Sequence, residues 1–354
     1  MWRDTKYLIA YIAPLSVFFA IWAKGIWSFS GIYVAFILIP ILDELVPSST
    51  TNLSTEQERS KLSNQFFDWL LYLNLPIIYA IIAYFFYTLT TAELATYEVA
   101  GLVCSTGLLV GTIGINVAHE LGHRANKREQ WIAKFLLLSG LYMHFFIEHN
   151  RGHHKNVATD QDPASSRYGE MIYVFWFRSV VGGYFSAWRL EAQRLKREGL
   201  SFWSIHNQMF HYTLIQGAYL ALIGLIWGAS MIPYAIGIAV FGFLLLESVN
   251  YIEHYGLRRK KLASGRFEKV GPHHSWNSNH EVGRIFLYEL TRHSDHHFKA
   301  SRKYQVLRHF DESPQLPLGY PASILASLVP PLWFAIMNKR VKAYKQQQQV
   351  EFAN

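Results

Sequence analysis

Six apolar stretches, at about residues 7–23, 26–42, 69–89, 94–117, 212–229 and 231–251, constrain this chain more than any other feature. Each is close to the roughly 20 residues with which a helix crosses the hydrocarbon layer of a bilayer. Within that layer a segment must satisfy its own backbone N–H and C=O groups, and a helix does so. The stretches pair into three hairpins. The expected fold is therefore an all-α membrane protein with roughly six transmembrane helices, forming one membrane-embedded domain over residues 1–354. Composition agrees, since 51% of residues are hydrophobic and 16% charged, against about 25% charged in soluble domains. The first six residues and the apolar run after them resemble a signal peptide. No small-residue cleavage site follows and a second span comes at once, so they read as a retained anchor.

Lys and Arg orient the spans. With the N-terminus inside, the outward loops fall near residues 24–25, 90–93 and 230, where Lys24 is the single basic residue. Apart from Arg3 and Lys6 at the inside N-terminus, the other cations lie in 43–68, 118–211 and 252–354. This predicts a multi-pass protein of the inner (cytoplasmic) membrane with helical segments 118–211 and 252–338 forming a cytoplasmic cap. The run 131–147 is a further apolar candidate, but Lys134 and His144 within it mark a half-buried or interfacial helix. Residues 48–66 are Ser/Thr-rich and read as a loop, and 189–197 reads as a surface helix. The stretch 319–337, broken by Pro321, Pro330 and Pro331, reads as interfacial. The basic, Gln-rich stretch 339–349 lacks a core-forming pattern, so 339–354 is expected to be a flexible tail. No nucleic-acid partner is expected.

A single cysteine, Cys104, excludes an internal disulfide framework. It equally excludes a Cys-ligated iron–sulfur or rubredoxin-type centre within the chain. Sixteen histidines are the compositional anomaly. Nine fall in four clusters: His119 and His123; His149, His153 and His154; His254; and His293, His296 and His297. On a helix, positions i and i+4 share a face, so His119/His123 and His149/His153 can each aim two rings at one metal. Burying nine imidazoles without partners would leave many polar groups unsatisfied. His119-Glu120-Leu-Gly-His123 also matches the pattern of zinc proteases, but catalytic zinc needs three protein ligands and an open position. Six clustered histidines would then have no role. Two metals with four or five imidazoles each use all nine. Iron, copper, nickel and zinc suit imidazole, and the redox metals among them give the motifs an oxidative use. A metal transporter would place ionisable groups near the middle of the spans, whereas these cluster at span ends.

At these motifs the chain resembles the integral-membrane alkane 1-monooxygenases, relatives of the membrane fatty acid desaturases and hydroxylases. The resemblance rests on NVAHELGHR (116–124), HFFIEHNRGHHKNVATDQDPASSR (144–167), NYIEHYGL (250–257), PHHSWNSNH (272–280) and LTRHSDHH (290–297). It covers roughly residues 5–335. The three histidine boxes alone also admit desaturases; NYIEHYGL and HSWNSN favour the alkane hydroxylases. The resemblance implies a non-haem di-iron centre of two iron ions ligated by His119, His123, His149, His153, His154, His254, His293, His296 and His297. It leaves open which ring serves which ion. His144, His206, His211, His273, His274, His280 and His309 fall outside that set, and His273 and His274 sit in a family-like motif.

Carboxylates are expected to hold the far N–H groups of the ligands. Sequence adjacency nominates Asp295 first, then Glu253, with Asp160, Asp162, Glu120 and Glu148 behind them. A methyl C–H bond offers no acidic proton, so no catalytic residue beyond the ligands is expected and the hard step belongs to the metal. The implied reaction is terminal hydroxylation of an alkane to a primary alcohol with O2 and two electrons. A related hydroxylase or desaturase acting on alkyl-aromatic, fatty acyl or sterol substrates is the alternative. The implied donor is rubredoxin with an NAD(P)H-dependent reductase, steered by basic residues including Arg258, Arg259, Lys260, Lys261, Arg292, Lys299, Arg302 and Lys303. The alkane is expected to enter sideways from membrane lipid. On the second span, where a bulky side chain limits chain length in the family, the stretch 29–41 has Tyr33 and Phe36 but no Trp, implying medium to long chains.

Overall fold

The apolar stretches form long helices in a computed structural model, which describes residues 2–351 and the side chains of 4–347. In chain order the elements begin with α1 (Asp4–Ala23), α2 (Gly25–Leu45), the short α3 (Thr55–Ser63), α4 (Phe66–Thr91) and α5 (Thr96–Gly122). They continue with α6 (Lys127–Ser139), α7 (145–156), α8 (Ile172–Arg197), α9 (Gln208–Trp227) and α10 (Ala229–His254). The last four are α11 (Glu281–Phe286), α12 (His293–Phe298), α13 (Tyr320–Ser327) and α14 (Pro330–Glu351). No strand occurs among the described residues, only two isolated bridges.

Six of these helices are long and apolar enough to span a membrane: α1, α2, α4, α5, α9 and α10. They form the hairpins α1–α2, α4–α5 and α9–α10, whose tight connections share one side of the molecule. There Glu98 accepts the backbone N–H groups of Gly25 at 2.6 Å and Ala95 at 2.7 Å, joining two hairpin tips. The central helix is α5, with 72% of its span window buried against 17% for α9. Small residues let α5 and α10 approach closely. A Cβ on Gly107 would stand 2.5 Å from that of Phe241, and one on Gly242 would stand 2.6 Å from Val110 Cγ1.

Outside the spans the structure corrects several expectations. Within 48–66, Thr55–Ser63 is helical, started by a capping box in which Ser54 and Gln57 satisfy each other's backbone N–H. The run 131–147 is not one helix. It stops after Ser139, turns through Leu141 at φ 49° and restarts at Phe145. The surface helix at 189–197 is the end of the 26-residue α8. That helix buries Phe175, Ser179, Gly183 and Ala187 at helical spacing and exposes Val174, Phe177, Val181 and Phe185. Residues 339–351 are helical as the second half of α14, which meets α13 at a 119° bend. Residues 352–354 of the expected tail lie outside the described residues.

Candidate metal centre

Four elements carry the clustered histidines to one place, at the ends of the spans opposite the tight hairpin turns. His119 lies near the end of α5, with His123 one turn later and just beyond it. Their ring centroids are 5.1 Å apart. His254 closes α10, and α12 presents His293, His296 and His297. Within α7, His149–His153 form a π-helical turn. A π turn bonds i to i+5 rather than i+4, so His149 aligns with His154 and not with His153.

The result is two groups of converging ring nitrogens. His119, His123, His149, His154 and His296 form one, and His153, His254, His293 and His297 the other. Within each, one nitrogen per ring lies within 4.8 Å of all the others. The expected pairing of His149 with His153 on one metal is therefore corrected: the π turn sends them to different groups. The groups touch, with the His154 and His297 ring centroids 4.5 Å apart.

Nitrogen separations test whether metal fits. Nε2 of His149 lies 3.0 Å from those of His123 and His154, and His296 Nε2 lies 3.1 Å from that of His154. His153 and His297 approach at 3.2 Å. Metal–imidazole bonds of about 2.1 Å, the length seen with zinc, put nitrogens at right angles about 3.0 Å apart. Ring nitrogens of His119, His254, His293 and His297 are buried without a hydrogen-bond partner among the described residues, a cost that coordination would remove. Burial pushes His123 down to about 3 and holds His149, His154, His293, His296 and His297 well below the imidazole range. Those rings are therefore neutral, the form in which imidazole binds a metal. Five donors in one group exceed the four of a tetrahedral zinc site. The donor sets fit two ions of an imidazole-loving transition metal.

The carboxylates divide differently from their order in sequence. Asp162 Oδ2 sits 2.9 Å from His153 Nδ1. Burial would raise Asp162, but the His153 ring overcomes it and holds the carboxyl low. Glu253 Oε2 lies 3.1 Å from His293 Nε2. Asp295 is corrected: it serves no ring and accepts from Arg302 at 2.7 Å and the Arg308 N–H at 2.8 Å. Asp160 is likewise corrected, since its side chain is 82% exposed and 3.7 Å from Arg258. Glu120 is held by Arg124 and the Tyr304 N–H. Glu148, buried beside Ser186, is pushed up to about 8 by burial and then by the charge of Asp162.

The seven other histidines join neither group. His144 is packed between the Tyr142 and Tyr184 rings; His206 and His211 are exposed. His274 accepts the Gly271 N–H and contacts Glu268 at 3.1 Å. His273 stacks edgewise on His274, His280 meets Ser278, and His309 meets Asp311.

Sequence reasoning passed over two buried groups. Glu247, inside α10, accepts from Tyr142 at 2.8 Å and Ser179 at 2.6 Å beside His149. An ionisable residue within an apolar span was its available signal. Tyr320, whose hydroxyl bonds Glu253, had none.

Beside the metal groups, an apolar cavity of about 490 Å³ empty volume lies between α2, α5, α10 and α13. Its wall includes Asn116, three residues before His119; Leu290, three before His293; and Tyr320. A second, more open apolar space of about 810 Å³ shares Phe36, Leu245 and Ile324 with it and extends past Phe29, Cys104 and Leu328.

Against known proteins, the fatty acid desaturase family model matches residues 94–323. The chain is 40% identical to an alkane 1-monooxygenase of Acinetobacter baylyi over 324 residues, 91% of this chain and 79% of that protein. It is also 40% identical to alkane 1-monooxygenase 2 of Pseudomonas aeruginosa over 343 residues, 96% and 91% of the two. The hydroxylase component XylM of a xylene/toluene monooxygenase from Pseudomonas putida is 28% identical over 318 residues, 89% and 82%.

Proposed function

The chain belongs to the alkane 1-monooxygenase family, within the wider fatty acid desaturase family, and we propose that it hydroxylates the terminal methyl group of alkanes to primary alcohols. One observation carries this reading: nine imidazoles gathered into two groups beside an apolar cavity. Two iron ions, held by His119, His123, His149, His154 and His296 and by His153, His254, His293 and His297, would supply the O2 activation and C–H oxidation that no side chain can. One oxygen atom goes to the alcohol and the other to water, using two electrons and two protons.

The chain's own part is to bind, orient and keep dry. Apolar walls accept an alkyl chain, and a chain end brought to the metal groups would be oxidised first, giving selectivity by position. The polar groups of that wall are already committed. Thr112 donates to the Leu108 carbonyl, Asn116 to that of Leu287, and Tyr320 to Glu253. No Lys, Arg or His lines the cavity, so a carboxylate would find no charged partner there, which favours hydrocarbon over acyl substrates. The two neighbouring apolar spaces, which share Phe36, Leu245 and Ile324, suit medium to long chains entering from the bilayer. The likeness to a xylene/toluene monooxygenase component supports a second reading, oxidation of aryl-methyl groups.

Electrons come from another molecule, which we take to be rubredoxin reduced by an NAD(P)H-dependent reductase. Lys260, Lys261 and Lys299 are exposed on the site side and suit an acidic carrier. Arg292 does not belong to that surface, being 4% exposed and bonded to the Leu307 carbonyl. Arg302 and Lys303 are engaged by Asp295 and Asp68. The orientation fits an inner membrane with the site facing the cytoplasm.

The test is metal and product analysis on anaerobically purified protein. About two irons per chain are expected from the doubled donor set. With rubredoxin, reductase and NADH, octane and hexadecane should give 1-octanol and 1-hexadecanol. A preference for p-xylene would favour the second reading. A single zinc per chain, or a desaturated product from an acyl substrate, would overturn the assignment.

A further inference from the structure

The two histidine groups differ in what stands behind their rings. All four rings of the smaller group are buried, and two carboxylates serve it. Asp162, 2.9 Å from His153 Nδ1, is itself fixed by the Ser165 hydroxyl at 2.5 Å. Glu253, one residue before His254 and 1% exposed, lies 3.1 Å from His293 Nε2, close enough for charge to act on the ring though not aligned as a hydrogen bond. Tyr320 bonds it from α13, with its hydroxyl also 3.4 Å from the Trp276 carbonyl. Among the described residues, none of the five rings in the larger group is paired with a carboxylate. Two of them, His123 and His154, are only partly buried.

A carboxylate on the far nitrogen of a ligating imidazole orients the ring and makes it a stronger donor. It also brings negative charge close to the ion in a site that screens charge poorly. Both effects favour the higher oxidation state. Both fall on one group.

We propose that Asp162, Glu253 and Tyr320 make the two metal positions unequal, so that the ion at the four-histidine position is oxidised before its neighbour. Tyr320 acts through Glu253 and is a positioning residue: its hydrogen bond keeps the carboxylate beside His293 rather than free to turn into the cavity that Tyr320 also lines. The proposal rests on the two-iron reading above.

The test uses full-length protein loaded with ⁵⁷Fe(II) in detergent and oxidised stepwise by ferricyanide, each equivalent taking one electron from one ferrous ion. Mössbauer spectra should show two ferrous signals of equal area, one lost before the other. Tyr320→Phe, Glu253→Gln and Asp162→Asn should each shift the early signal, leave the late one in place and bring the two steps together. Glu253→Asp should restore part of the separation. Simultaneous loss of both signals in the unaltered protein, or equal shifts of both in the variants, would overturn the proposal while leaving two irons in place. One iron per chain, or zinc, would instead overturn the two-iron reading. If Glu253→Gln fails to load iron, Tyr320→Phe still decides, because it removes one oxygen atom and no charge.

Discussion

A four-nitrogen group that loses one ring keeps three, and His254 holds its place at the very end of α10. His254→Ala should reduce iron from about two to about one per chain, by the ligand count, and abolish alcohol formation. His206→Ala, at an exposed position, should leave both unchanged. Iron analysis beside product formation checks the pair, and full loading of His254→Ala would remove this ring from the ligand set. The nine rings were legible because their number and clustering far exceed what interface hydrogen bonding explains. Their division was not, since α-helical spacing pairs His149 with His153 while the chain adopts a π turn. Chain adjacency likewise chose the wrong carboxylate. On α12, Asp295 is two residues from His293, a rotation of roughly 200° at 3.6 residues per turn, and so faces Arg302 and Arg308. Asp162 reaches His153 from a loop nine residues away, a contact that no periodicity signals.

At the scale of elements, the contact between α5 and α10 decides whether the cavity keeps its shape, because Gly111, Leu245 and Leu246 line it. Gly242 has no room for a side chain: a Cβ there meets Val110 at 2.6 Å and the Gly107 carbonyl at 3.1 Å. Gly217, on α9, has nothing within 4 Å of a built Cβ. Gly242→Ala should therefore destabilise the protein by about 1–3 kcal/mol through overpacking and lower alkane turnover. Gly217→Ala should be neutral or stabilising by up to about 1 kcal/mol, from helix propensity. Thermal unfolding in one detergent compares them, and equal midpoints would show that the close approach is not needed. The spans were legible because apolar length is a direct physical requirement of the bilayer. The second half of α14 was not. Trp333, Met337 and Val341 are fully buried at helical spacing, but composition hid that stripe among lysines and glutamines.

For the molecule as a whole, the proposed function depends on which way the bundle faces, because under it an electron carrier and an alkane reach the same centre from different phases. The metal groups lie at the span ends where α1 begins and α10 finishes, and the connections at Lys24, 92–95 and Gly228 lie at the other. Lys24 is the single Lys or Arg on that far side, the asymmetry that keeps basic segments in the cytoplasm. The convergence of segments as distant as His119 and His297 was read from the number and clustering of the rings and then from family resemblance; no local pattern brings them together. The proposed orientation, by contrast, rests on charge alone and can be tested without activity. With Cys104 replaced by Ser, a cysteine at exposed Glu93 should react with a membrane-impermeant maleimide in intact spheroplasts. One at exposed Ser301 should react only after lysis. The reverse pattern would place the histidines outside the cell membrane, beyond the reach of a cytoplasmic rubredoxin, and the electron route proposed here would fail even if both irons were bound.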